Sequence, residues 1–89
     1  EPVILGFWAP WCRPCKIIGP VFEKFANMEE HAAVKFYKLD TEEKERAMVE
    51  AGVRVMPSFM MFEDGNKAGE SAGALPTPLA VLFRLAKVL

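Results

Sequence analysis

Both cysteines of the chain fall in one short stretch, Trp8-Ala9-Pro10-Trp11-Cys12-Arg13-Pro14-Cys15-Lys16, with only Arg13 and Pro14 between them. On the first turn of a helix, that spacing brings two sulfurs within disulfide reach. The pair would make a poor structural staple, because closing so small a loop removes little chain entropy from the unfolded state. Disulfide exchange suits it better: one thiolate attacks a foreign disulfide, and the second thiol displaces it from the mixed disulfide. Cys12, at the helix start, has the dipole and unpaired N–H groups to favour its anionic form and is the candidate nucleophile. Cys15, one turn further in, is expected to be more buried and to act as the resolving thiol. Pro14 suits a first helical turn, where its missing N–H costs little. The charge of Arg13 should favour the Cys12 thiolate and make the disulfide more oxidising, unless it is merely an exposed turn residue. Zinc would need a fuller ligand set, and only His31 could join the pair from across a helix. A metal held between two chains stays open as an alternative.

The pair needs a frame. Upstream, Val3-Ile4-Leu5-Gly6-Phe7-Trp8 is apolar at every position but Gly6, which predicts a central strand buried on both faces. Downstream, Ile17, Ile18, Val21, Phe22, Phe25 and Ala26 form the stripe of a packed helix running to about Glu30, kinked at Pro20. The cysteines therefore sit at the C-terminal end of a strand and the N-terminus of a helix, where open α/β sheets place their chemistry. Val34 to Leu39 reads as a second strand that sets Val34, Phe36 and Lys38 on one face, so a lysine points where apolar residues point. Asp40 and Glu43 have capping-box spacing, which predicts a helix stopping at Gly52. Ser58 to Phe62 is a third strand, Glu63-Asp64-Gly65-Asn66 a hairpin turn, and Lys67 to Ala72 a short edge strand. Thr77 can cap a last helix with Pro78 at its first position. Leu79, Leu82, Phe83, Ala86 and Leu89 would be that helix's buried stripe, which Val81, Leu85 and Val88 widen. His31 reads as a solvated residue at a helix end.

Eighty-nine residues, 52% of them hydrophobic, allow one core, so residues 1–89 are expected to form a single domain. Eleven basic and twelve acidic side chains leave a net charge of −1 with no basic stripe, which argues against nucleic acid or a membrane surface as partner. No apolar run reaches the length of a membrane span, and no secretory leader pattern is visible, so a cytoplasmic setting is the expectation.

With these elements in place, the chain resembles the thioredoxin family, whose signature is Trp-Cys-x-Pro-Cys-Lys after an apolar strand. Pro20, the segment Val55-Met56-Pro57-Ser58, and Gly73-Ala74 fall at the family's order and spacing. The resemblance implies an α/β thioredoxin fold, a central mixed sheet flanked by helices, with the cysteine-bearing strand between the second and third strands. The family's first strand and helix have no counterpart in this sequence. It further implies a protein-disulfide reductase that acts through Cys12 and Cys15 and binds no cofactor. Disulfide-containing proteins would be its substrates, and a thioredoxin reductase drawing on NADPH would recycle it. Met56-Pro57 matches the family's cis-proline, and with Trp11, Pro14, Gly73 and Ala74 it would form an apolar dock for substrate. Arg13 and Lys38 would support the site.

Two departures stand out. Arg13 replaces the family's usual glycine. Gly6 lies where the family usually carries a buried aspartate, thought to take the proton of the resolving cysteine. Lys38 matches the lysine that approaches that aspartate, and without it should turn outward, bind water or lower its pKa. A non-catalytic binding or holdase module and a dimer bridging a metal are the rival functions. The strand from Val34 to Leu39 would be a bare sheet edge and the last helix is broadly apolar, so a homodimer or strand-exchanged dimer is expected.

Overall fold

The computed structural model describes residues 1–88. Along the chain come β1 (Val3–Trp8), α1 (Arg13–Ala26), a 3-10 turn (Glu29–His31), β2 (Lys35–Asp40), α2 (Glu45–Ala51), β3 (Ser58–Glu63), β4 (Asn66–Ala72) and α3 (Pro76–Val88). The sheet order is β2-β1-β3-β4, with β1 parallel to β2 and antiparallel to β3. The strand that leads to the cysteines is thus central, as expected.

Alternation along the strands sets up the core. Ile4 and Gly6 of β1 pair with Met61 and Phe59 of β3. Ile4, Phe59 and Met61 then pack with Ile18 and Phe22 of α1 and with Leu79, Leu82, Phe83 and Ala86 of α3. Phe22 joins the layers, its ring 5.2 Å from that of Phe59 and 5.7 Å from that of Phe83. Burial on the opposite face is partial: Phe7 and Met60 are enclosed, but Leu5 is half-buried, so β1 is fully covered only beneath α1 and α3.

Several boundaries differ from expectation. α1 passes through Pro20 but stops at Ala26, where the N–H groups of Asn27 and Met28 donate to the carbonyls of Glu23 and Phe25 respectively. The following turn folds His31 inward. Its Nδ1–H donates to the Phe25 carbonyl at 2.6 Å and its ring lies 5.0 Å from that of Phe83, so His31 is buried rather than solvated. The capping box at Asp40 and Glu43 does not form. Asp40 instead accepts from the Glu42 N–H at 2.8 Å, a local turn that delays the helix until Glu45. Gly52 ends α2 with φ 75°, the left-handed conformation that favours glycine at this position. Asp64 and Gly65 take positive φ, as the two-residue hairpin turn requires. α3 begins at Pro76, which places Thr77 inside its first turn instead of at the cap. Leu89 lies outside the described residues. β2 is an edge strand of the sheet, and its Tyr37 side is 53% exposed.

Candidate active site

Between the end of β1 and the start of α1 the chain turns tightly, the Cys12 N–H donating to the Ala9 carbonyl at 3.1 Å. Cys12 is the N-cap of α1, in extended conformation, and its Sγ accepts the N–H of Cys15 at 3.2 Å. A sulfur there occupies the place where a serine or aspartate oxygen usually satisfies the first free amides of a helix. In the reduced form that contact and the helix dipole would both favour a thiolate at Cys12. The two cysteines are joined as a disulfide with Cα atoms 5.3 Å apart.

Burial does not rank the two as the sequence suggested. Cys12 is 3% exposed and Cys15 7%, so in this oxidised form the candidate nucleophile is the more enclosed of the pair. The reason is packing: Ala9 clusters with the two cysteines, and Trp8 and Met56 pack against that cluster. What separates the cysteines is the amide on Cys12 Sγ.

The second wall comes from the segments just before β3 and just after β4. Met56-Pro57 is a cis peptide bond, Pro57 is buried, and Met56 lies against the cysteine cluster. The Gly73 N–H donates to the Pro57 carbonyl at 2.8 Å, and Gly73 has φ 86°. Ala74 packs beside it against the core. Cys12, Cys15, Met56, Pro57 and Gly73 are thereby brought together. Trp11, 66% exposed, and the outward-facing Arg13 and Pro14 form the rim at the helix start. Thr41 was not foreseen, since a threonine after a strand reads as an ordinary turn residue. It is buried, donates its N–H to the Trp8 carbonyl at 2.9 Å, and points its hydroxyl at Met56 Sδ at 3.9 Å.

Beneath the disulfide the absence of a side chain at Gly6 is filled from elsewhere. A Cβ at Gly6 would lie 3.2 and 3.3 Å from two ring carbons of Phe59 and 3.6 Å from Phe22, so aromatic rings already use that space. Lys38 is the register partner of Gly6 on β2. It turns outward, its Nζ 3.3 Å from Glu23 Oε1 and 5.3 Å from the centre of the Trp8 ring. The outward turn is one of the outcomes expected for a lysine with no acid at residue 6, and it gives the ammonium a partner. Glu23 is the residue the sequence hid: one acid on the exposed side of an apolar helix carries no signal of its own.

The thioredoxin family model matches residues 1–84. This chain belongs to the thioredoxin family. A thioredoxin of Malassezia sympodialis is 46% identical over 77 residues, covering 86% of this chain and 73% of that one. A thioredoxin of Aspergillus fumigatus is 47% identical over 83 residues, covering 93% and 76%. The solved structure of the Malassezia sympodialis thioredoxin superimposes with TM-score 0.94 at 40% identity, over 98% of this chain and 76% of that chain. The mixed four-stranded sheet flanked by helices is the thioredoxin fold. Thioredoxins are thiol-disulfide oxidoreductases that act through their cysteine pair rather than a bound cofactor, and so is this protein. Disulfide-containing proteins and a thioredoxin reductase are the partners that membership implies. Among the described residues no helix is long and apolar enough to cross a membrane.

Proposed function

We propose that residues 1–89 act as one thioredoxin domain in which Cys12 attacks and Cys15 releases. The observation that carries the assignment is the Cys15 N–H held on Cys12 Sγ, which supports thiolate character at residue 12. In the reduced protein, Cys12 S⁻ attacks one sulfur of a substrate disulfide, and the other leaves as a thiolate that takes up a proton. Cys15 then loses its proton and attacks Cys12 Sγ. The bond from Cys12 to substrate breaks, the substrate sulfur departs with its electron pair, and the Cys12–Cys15 disulfide remains.

Trp11, Met56, Pro57, Gly73 and Ala74 are the proposed docking surface, apolar and adjacent to the sulfurs, with the exposed Trp11 ring as the main contact for an extended substrate segment. Arg13 and Pro14 support Cys12 at the helix start, and Lys38 supports the site from below. A reductase drawing on NADPH would return both cysteines to thiols. The cytoplasm is the proposed setting, because a dithiol works as a reductant only where the surrounding poise keeps it reduced. Trapping tests the assignment: Cys15→Ser should accumulate a mixed disulfide with substrate and Cys12→Ser none. Mass spectrometry that finds the adduct on Cys15 alone reverses it.

A further inference from the structure

For Cys15 to attack, its thiol must lose a proton, and the group that receives it is not among the residues so far assigned. A cavity of about 40 Å³ lies under the sulfur, lined by Gly6, Ile18, Phe22, Phe59, Lys38 and Cys15 itself. Beside it runs an open groove of about 270 Å³ walled by Trp8, Cys15, Gly19, Glu23 and Lys38. The two spaces share Trp8, Cys15, Gly19 and Lys38. A water needs about 10–15 Å³ of such space, so both the cavity and the groove have room for water.

Gly19 lines both spaces. It lies inside α1, where glycine costs about 1 kcal/mol relative to alanine. Packing does not require it, since a Cβ there would meet nothing within 4 Å. Lys38 and Glu23 both line the groove, the ammonium 3.3 Å from the carboxylate.

The charged groups that face the groove are Lys16 and Glu23 from α1 and Lys38 from β2. β1 contributes Gly6, Phe7 and Trp8, and the β3 side contributes Pro57 and Phe59, none of which titrates. An ammonium only donates hydrogen bonds and a carboxylate accepts them, so Glu23 is the acceptor among these groups. We infer that Glu23, positioned by Lys38, receives the Cys15 proton through water in the groove floored by Gly19, doing from the helix surface what no side chain at residue 6 can do. A carboxylate is a weaker base than a thiolate, but the Cys15 thiolate is consumed by attack as it forms, which draws the transfer forward. Glu23 then returns the proton to solvent.

This inference rests on Cys15 being the resolving thiol, and one experiment separates the two. Reduced protein is mixed in a stopped-flow instrument with an aromatic disulfide that frees a coloured thiolate at each step. The first phase reports attack by Cys12 and the second reports attack by Cys15. Glu23→Gln should leave the first phase unchanged and slow the second about tenfold at neutral pH, a modest share of what a general base supplies. The deficit should shrink as pH rises and hydroxide takes over, and added formate should restore the rate. Gly19→Leu fills the groove without changing a charge, and should slow the second phase without rescue by formate. A wild-type second phase in Glu23→Gln from neutral to alkaline pH overturns the inference and leaves the cysteine assignment standing. A second phase that survives in Cys15→Ser overturns both.

Discussion

Replacing Gly6 by aspartate sets a carboxyl directly beneath Cys15, and its cost and benefit can both be estimated from what surrounds Gly6. The new Cβ would meet Phe59 at 3.2 Å, tighter than ordinary contact, so that ring must shift by a few tenths of an ångström against Phe22, on which it stacks. The carboxylate would enter a space of about 40 Å³ with a mostly apolar lining. Burying an ion there costs several kcal/mol. Attraction to Lys38, the register partner of Gly6, offsets part of this, and removing a glycine from a strand recovers about 0.5–1 kcal/mol. A net loss of about 2–3 kcal/mol near neutral pH follows, which for a domain of this size lowers Tm by roughly 10–20 °C. Its pH dependence has a definite sign. Burial raises the carboxyl's pKa in the folded state above about 3.9, so the folded form holds a proton that the unfolded form has released. The penalty is therefore smallest below about pH 4 and grows as pH rises through the folded-state pKa. In return, a base in contact with the sulfur should speed the second stopped-flow phase about 10- to 100-fold. Melts of the oxidised variant at acid and neutral pH and single-turnover kinetics measure the two halves. An unchanged second phase would refute the claim that proton removal limits resolution. A melting deficit equal at both pH values would refute the claim that the buried charge carries the cost.

Removing the charge of Arg13 with Arg13→Gly should make the disulfide less oxidising. The side chain is exposed, so the effect is that of a screened surface charge, about 0.2–1 kcal/mol, or roughly 5–20 mV more negative in a glutathione equilibrium; no shift would make Arg13 a plain turn residue. The 89-residue chain should self-associate, because β2 offers an unpaired edge carrying Phe36 and Tyr37, and α3 exposes Val81, Leu85 and Val88. Light scattering should show a mass that rises with concentration and falls back to monomer in Tyr37→Lys. A monomer at millimolar concentration contradicts the expectation.

What the sequence made legible was whatever a short stretch decides for itself. The order of strands and helices, the turn at Asp64-Gly65 and the stop at Gly52 each rest on a few adjacent residues whose backbone preferences admit little else. The cysteine pair belongs with them, because its spacing and the strand and helix that frame it lie in one short stretch. Positions settled by contacts across the chain were not legible. His31 looks like any polar residue near a helix end until Phe25 and Phe83 are brought to it. Asp40 has the spacing of a cap, but its side chain spends itself on the nearer amide of Glu42. The same limit applied beneath the disulfide. Sequence showed that Gly6 carries no acid and left Lys38 without a partner. The fold supplies two answers from distant segments: Phe59 and Phe22 take up the space, and Glu23 takes up the charge. A carboxylate moved from a buried strand to an exposed helix face no longer imposes the desolvation cost of a buried ion, and the domain then depends on water to connect it to the sulfur. If that exchange was made for stability, rate at the second step is what it cost, and the Gly6→Asp and Glu23→Gln variants should move that rate in opposite directions from the wild type.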